Sequence, residues 1–208
     1  MNLKSVKKII SMHPNFKICK KSREAYAILD STAKEEIQRG FLINNYRYAV
    51  SLSFWLTPKI CLPSSDIIVF RNYYADINDR EIFLDKSLST EDQISEKIAD
   101  SVNYNMPILQ EINSLVSLEK YISSNQQKWL VSDFSKIQFG ILDFYNNRDL
   151  SAIKMVKAVY PLINPLHPIA KEIDNFVSLV ENGDEAEIDR YFDSLKKLTE
   201  ERFIELCK

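Results

Sequence analysis

Residues 46–57 read YRYAVSLSFWLT, and this stretch decides the fold class. From Tyr48 onward, large apolar side chains occupy every second position, with small or polar residues between them. Because successive side chains of a β-strand point to opposite faces, this period of two predicts a strand with one buried face and one more polar face. The predicted buried face consists of Tyr48, Val50, Leu52, Phe54 and Leu56. The predicted polar face consists of Arg47, Ala49, Ser51 and Ser53.

Further strand-forming segments lie on both sides of this stretch. The predicted strands are 16–21, 25–29, 34–44, 46–57, 66–74 and 80–84. Asn44 and Asn45 suit a hairpin turn, since Asn tolerates a positive φ. Segment 66–74 is apolar on both faces, which is typical of a buried central strand. Because the links between the strands are short, we expect an antiparallel sheet.

Near residue 90 the apolar period changes from two to between three and four. The last helix shows this best, with an apolar stripe of Ile188, Tyr191, Phe192, Leu195 and Leu198. Thr90 and Gln93 have the spacing of a capping box at the start of the first of these helices. Pro107 is expected to break or kink that helix, so that the next helix begins at residue 108.

The predicted fold is therefore α+β. An N-terminal helix over 2–12 and an antiparallel sheet are followed by an all-helical C-terminal part with further helices over 133–146, 150–162, 169–182 and 185–207. Gly183 is predicted to end a helix and Asp184 to cap the next. The predicted domains are 1–88 and 89–208, with a candidate linker at 124–127. The two parts could equally form one continuous domain.

Composition excludes several classes of site. The chain has three glycines, at 40, 140 and 183, and these are too far apart for a phosphate-binding loop. Cys19, Cys61 and Cys207 lack the spacing of a metal site, so we expect three reduced thiols. His13 is predicted to be a capping or surface residue. His167 is followed by Glu172 and Asp174 and could be a general base or a metal ligand, but its position at a proline-marked corner disfavours that role. The sequence thus predicts no catalytic residue, no cofactor and no metal ligand.

A membrane partner is not expected either. No apolar run approaches the roughly 20 residues that a membrane-spanning helix requires. Residues 1–12 lack the apolar core and cleavage site of a secretory signal. These features predict a cytoplasmic protein.

Charge is distributed unevenly along the chain, whose net charge is −2. Residues 1–89 carry a net +5 and residues 90–208 a net −7. The densest acidic group consists of Asp184, Glu185, Glu187, Asp189 and Asp193. It is a candidate contact for a basic partner protein. The alternative is a solvated helix face, since negative charge near a helix N-terminus is favourable in itself.

Aromatic residues are concentrated in the predicted sheet, together with Arg47 and Arg71. The group comprises Tyr46, Tyr48, Phe54, Trp55, Phe70, Tyr73 and Tyr74. Exposed rings and arginines could stack nucleic-acid bases. Packing of the sheet against helices accounts for the same residues, and it is the preferred interpretation because no RNA-binding signature is present. A nucleic-acid partner is therefore not expected.

The order of elements resembles a known group of proteins. A basic amphipathic helix precedes the strand segment 16–22, which reads FKICKKS, and a curved sheet and a helical tail follow. In this order, residues 1–165 resemble bacterial immunity proteins of polymorphic or contact-dependent toxin systems. The resemblance implies a non-enzymatic protein that binds and neutralises a cognate toxin. It assigns no individual residues. An adaptor with a helical-hairpin surface and an enzyme with an unrecognised site are the alternatives.

Overall fold

The computed structural model describes residues 8–9, 11–21, 23–29, 35–66, 68–73 and 81–208. The strands are β1 Phe16–Lys21, β2 Glu24–Leu29, β3 Ile37–Asn45, β4 Ala49–Pro58, β5 Phe70–Asn72 and β6 Ile82–Asp85. The helices are α1 Glu91–Glu111, α2 Leu115–Ser124, α3 Gln126–Trp129, α4 Asp133–Asn147, α5 Ser151–Val159, α6 Pro168–Asn182 and α7 Glu185–Leu206. A 3₁₀ turn, Tyr160–Leu162, extends α5. Most of the helix predicted over 2–12 lies outside the described residues, although Lys8, Ile9, Ser11 and Met12 are helical.

The six described strands form one antiparallel sheet in the order β1-β2-β3-β4-β5, with β6 also paired to β4. β1 pairs with β2 from Phe16↔Leu29 to Lys21↔Glu24, and β6 pairs with β4 from Ala49↔Asp85 to Leu52↔Ile82. All described strands precede residue 86, and helices follow from residue 91. The predicted α+β class, with a sheet followed by helices, is confirmed.

The predicted faces of β4 are confirmed only in part. Val50, Leu52, Phe54 and Leu56 are buried as expected. Tyr48 is 67% exposed because it precedes the first residue of the strand. The second face was wrongly predicted to be wet, since Ala49, Ser53 and Trp55 are buried too. β4 is an inner strand with three partner strands, so both of its faces can be covered.

The prediction of a central strand over 66–74 is wrong. β5 has three residues and stands at the end of the strand order. Val69 and Phe70 are nevertheless buried, and the backbone N–H of Val69 donates to Thr57 Oγ1 over 3.3 Å. An apolar run indicates that a segment is buried, but it does not identify its secondary structure. Here Thr57 Oγ1 accepts the backbone hydrogen bond that a neighbouring strand was expected to accept.

β3 continues through Asn45, so the predicted turn at Asn44-Asn45 is displaced to 46–48. Asn44 is buried and pairs with Glu24 of β2. Gly40 has a clear steric role in the same strand pair. A Cβ atom at this position would lie 2.0 Å from the carbonyl oxygen of Ala27 in β2. Only glycine permits that approach of the two backbones.

The predicted start of α1 is confirmed, but its predicted end is wrong. Gln93 N donates to Thr90 Oγ1 over 3.2 Å and Thr90 N donates to Gln93 Oε1 over 2.8 Å, which confirms the capping box. The predicted break at Pro107 is wrong, because α1 continues through Pro107 to Glu111. The following helix starts only after Ser114, which forms a second capping box with Ser117.

The chain divides into two compact units that do not follow the predicted boundary at residue 88. The first unit contains residues 1–56, 71–113 and 206–208, and the second contains 57–70 and 114–205. α1 belongs to the first unit, where Ile94, Ile98 and Val102 are buried. The predicted linker at 124–127 lies inside the second unit, at the junction of α2 and α3.

The second unit is built on packed helices and one buried loop. Phe144, Phe176 and Phe192 form an aromatic core with ring centroids 5.8–6.4 Å apart. Gln138 holds the loop 59–62 from α4: it accepts from Leu62 N and donates to Ile60 O, each over 3.2 Å. A buried amide with both of its groups paired fixes a loop at little energetic cost.

The prediction of three reduced thiols is wrong. Cys19 and Cys207 are joined by a disulfide with their Cα atoms 4.7 Å apart, and both belong to the first unit. Cys61 is a free, buried thiol whose Sγ lies 3.3 Å from Thr199 Oγ1. The disulfide partners are 188 residues apart in sequence, so spacing alone could not reveal them.

Candidate functional site

The predicted acidic group lies at the start of α7. Asp184 precedes the helix and caps it by accepting from Glu187 N over 3.0 Å. All five carboxylates, Asp184, Glu185, Glu187, Asp189 and Asp193, are exposed. They therefore stand where a partner could reach them, and the helix dipole favours their charge near this end.

Four of these carboxylates have a cation of the same unit close by. Arg148 Nη2 lies 2.6 Å from Asp189 Oδ1, and Arg148 Nη1 lies 3.8 Å from Glu185 Oε2. Arg190 is 3.9 Å from Glu187 and Lys196 is 3.5 Å from Asp193. These contacts reduce the local negative potential, so the acidic group is a weaker attractant than its sequence density indicates.

Arg148 is the residue that sequence reasoning missed here. It follows the end of α4 with a left-handed φ of 52°, and its guanidinium lies 5.5 Å from the Phe192 ring centroid. Its long-range partners on α7 could not be deduced from local spacing. The available signal was the Asn-Arg-Asp turn after α4, because helices often end with a residue in this conformation.

The aromatic group divides into a buried set and an exposed set. Phe54, Trp55 and Phe70 pack in the interior, as the preferred interpretation requires. Tyr46, Tyr48 and Tyr73 are exposed instead, and Phe83 of β6 joins them at 62% exposure. Tyr74 lies outside the described residues. Packing thus accounts for only part of the group, and the rest lies at the surface of the first unit.

Four exposed or half-buried side chains form one surface, which we call the tyrosine–arginine surface: Tyr46, Arg71, Tyr73 and Phe83. Phe83 lies opposite Ser51 in the register of β4 and β6, and its ring centroid is 6.2 Å from that of Tyr46. Arg71 lies 4.4 Å from the centroid of Tyr73 and donates to Ser53 Oγ over 2.8 Å. A concavity of about 230 Å³ is lined by Tyr46, Tyr73 and Phe83 together with Ser51, Leu52, Glu81 and Ile82.

A second arginine–tyrosine pair occupies the turn that leads into β4. The guanidinium of Arg47 stands 4.9 Å from the ring centroid of Tyr48. Within the described part of the chain, neither Arg47 nor Arg71 has a carboxylate within 4.0 Å. An arginine guanidinium has five N–H donors, so each of these two side chains can bind more than one acceptor.

Each histidine lies within hydrogen-bonding distance of another group in its own unit. His13 Nε2 lies 2.8 Å from Asn103 Oδ1, and His167 Nδ1 accepts from Ile169 N over 3.3 Å at the start of α6. The carboxylates near His167 in sequence have other partners. Glu172 accepts from Ser64 N and Oγ, and Asp174 accepts from the Tyr160 hydroxyl, a bond that raises the pKa of Tyr160.

Replacing both His13 and His167 by Gln is expected to leave the biological activity intact. Glutamine can still donate and accept hydrogen bonds, so neither position should lose its local contacts completely. A binding assay on the folded double variant, with its melting temperature measured in parallel, checks this. Loss of activity without loss of folding would shift the interpretation toward an enzyme.

No protein-family profile, no curated protein and no solved structure matches this chain. Among the described residues, no three His, Cys, Asp or Glu side chains are grouped so that they could hold a metal ion. In the same residues, no helix is long and apolar enough to cross a membrane.

Proposed function

We propose that this chain is a non-enzymatic binding protein that acts as an immunity protein, binding and neutralising a cognate bacterial toxin in the cytoplasm. The observation that carries the binding role is the tyrosine–arginine surface of the first unit. Its exposed tyrosines and Arg71 belong to the residue types that contribute most binding energy in protein interfaces.

Physical chemistry supports a protein partner for this surface. Tyrosine and phenylalanine bury a large area with few rotatable bonds, so ordering them on binding costs little entropy. Arg71 is already held by Ser53 and the Tyr73 ring, which further lowers that cost. A partner that supplies an apolar side chain to the concavity and a carboxylate to Arg71 would satisfy both features.

The toxin assignment is tested by coexpression. The gene product encoded immediately upstream of this chain is expressed under a tightly repressed promoter, with and without this chain. We expect growth arrest when the neighbour is expressed alone and recovery when both are present, together with a purified complex of defined stoichiometry. A neighbour that is harmless, or arrest that this chain does not relieve, would contradict the immunity role.

The acidic group has a second, kinetic role in this proposal. Many toxins that act on nucleic acid carry basic surfaces, and opposite charge mainly accelerates association. Glu187 offers the cleanest test, because its cation partner, Arg190, belongs to the same helix. Asp189 is less suitable, since its replacement by Lys would oppose Arg148 directly.

Replacing Glu187 by Lys is therefore expected to slow association with the toxin about threefold or more at low salt, and less at 0.5 M salt. The melting temperature should change little, because the residue is exposed. Surface-based kinetics at two salt concentrations measure the effect, with Glu201→Lys as a control at an exposed position late in the same helix. Equal association rates for Glu187→Lys and the parent at low salt would indicate that the acidic group is only a solvated helix face.

The adaptor alternative has one specific observation in its favour. Leu162 and Leu166, at the corner between α5 and α6, are exposed apolar residues next to a cavity of about 310 Å³. Exposed leucines at a rigid corner suit a docking contact. Replacing both by Ser would abolish partner binding in the adaptor case and leave toxin neutralisation intact in the immunity case.

A further inference from the structure

We infer that the Cys19–Cys207 disulfide is a reversible redox lock that holds the C-terminal residues of the chain in the first unit. This inference is independent of the proposed function. It rests on the position of the two sulfurs. Cys19 is 2% exposed within β1, whereas Cys207 follows the last residue of α7 and is partly exposed.

The two bonded cysteines differ in exposure. The Cα–Cα distance of 4.7 Å lies within the usual range for a disulfide. Cys207 is partly exposed and Cys19 is buried, so we expect an attacking thiolate to react at the Cys207 sulfur. Exchange begins at the accessible sulfur, and its rate depends on that access.

The chemistry balances with a small thiol as the reductant. One thiolate attacks Cys207 Sγ, the bond to Cys19 Sγ breaks, and Cys19 leaves as a thiolate that takes up a proton. A second thiol then releases Cys207 from the mixed disulfide. Two thiols have lost two protons and two electrons to become one disulfide, and the protein has gained two thiols.

The disulfide joins the C-terminal residues of the chain to β1. β1 is the first strand in the sheet order, and among the described strands β2 is its paired neighbour. Leu206, next to Cys207, is buried and assigned to the first unit. Reduction should therefore loosen residues 206–208 and β1 first, while the inner strands keep their protection.

Cys61 supplies an internal control for the experiment, because it is free and buried in the second unit. Purified protein is equilibrated with oxidised or reduced glutathione and labelled with a maleimide–polyethylene glycol under native conditions. We expect no labelled thiol after oxidation and one, Cys207, after reduction, whereas Cys19 and Cys61 should react only after denaturation. Reduction should also lower the melting temperature by at least about 5 °C and speed amide exchange in 16–21 at least tenfold.

Two variants separate the lock from a general effect of reductant. Cys207→Ser should lose the dependence of the melting temperature on glutathione, while Cys61→Ser should keep it. Native labelling of Cys207 in the glutathione-oxidised protein would overturn the inference, because the bond would not have formed. A bond that 10 mM reduced glutathione leaves intact, or a melting temperature that reduction does not change, would overturn it as well.

Discussion

Replacement of Phe54 by Ala is expected to lower the free energy of unfolding by about 3–5 kcal/mol. Phe54 is 1% exposed in β4, and its ring centroid lies 6.4 Å from that of Phe41. Phe41 in turn lies 5.8 Å from Phe16. Truncation removes one ring from this row and leaves a cavity that the flanking rings can fill only by abandoning their own contacts.

Thermal unfolding measures this loss. For a chain of this size each kcal/mol corresponds to roughly 2–4 °C, so the melting temperature should fall by about 6–20 °C. Phe83→Ala is the matched control: the same residue type is removed from the same sheet, but at a position that is 62% exposed. Its cost should stay below about 1 kcal/mol. Equal effects of the two changes would contradict the burial of Phe54 in the core.

The period of two predicted the sheet because alternation is imposed by strand geometry itself. For the same reason it correctly predicted the burial of Val50, Leu52, Phe54 and Leu56. It failed at Ser53, which is buried although polar. Ser53 accepts a hydrogen bond from Arg71, and this partner is 18 residues away. Local periodicity carries no information about such a contact. The sequence pattern therefore cannot distinguish a buried polar face of a strand from a solvent-exposed one.

Three helix boundaries were predicted correctly from the residues that cap or end the helix. Thr90 and Asp184 cap the helices that they were predicted to cap, and Gly183 ends its helix with a φ of 71°. Pro107 was misjudged because the rule that proline ends a helix is local. α1 buries Met106 and Leu109 on either side of the proline. This burial offsets the lost hydrogen bond.

The candidate site was predictable to different degrees in its two parts. Exposure of the acidic group follows from its helical spacing, since five carboxylates on more than one face cannot all be buried. Its neutralisation by Arg148 depends on the packing of α4 against α7, which spacing does not encode. Phe83 was missed because β6 pairs with β4, which is two strands earlier in the chain, and local spacing does not encode that pairing.

Replacing both Tyr46 and Phe83 by Ala is expected to weaken binding to the toxin at least about 30-fold, which corresponds to about 2 kcal/mol. The two rings form one wall of the concavity on the tyrosine–arginine surface. Because both are exposed in the free protein, their removal should change its melting temperature little. Most of the effect should appear in the dissociation rate, since short-range contacts act after encounter.

The matched control is Tyr104→Ala with Leu88→Ala, which removes comparable exposed apolar area from the first unit. Tyr104 is 47% exposed, against 46% for Tyr46, and Leu88 is exposed like Phe83. Calorimetric titration of both double variants with the upstream gene product gives the two affinities. If the control variant loses as much affinity as Tyr46→Ala with Phe83→Ala, the loss reflects general apolar area. If neither variant loses affinity, the toxin does not bind at this surface, and α7 becomes the remaining candidate contact.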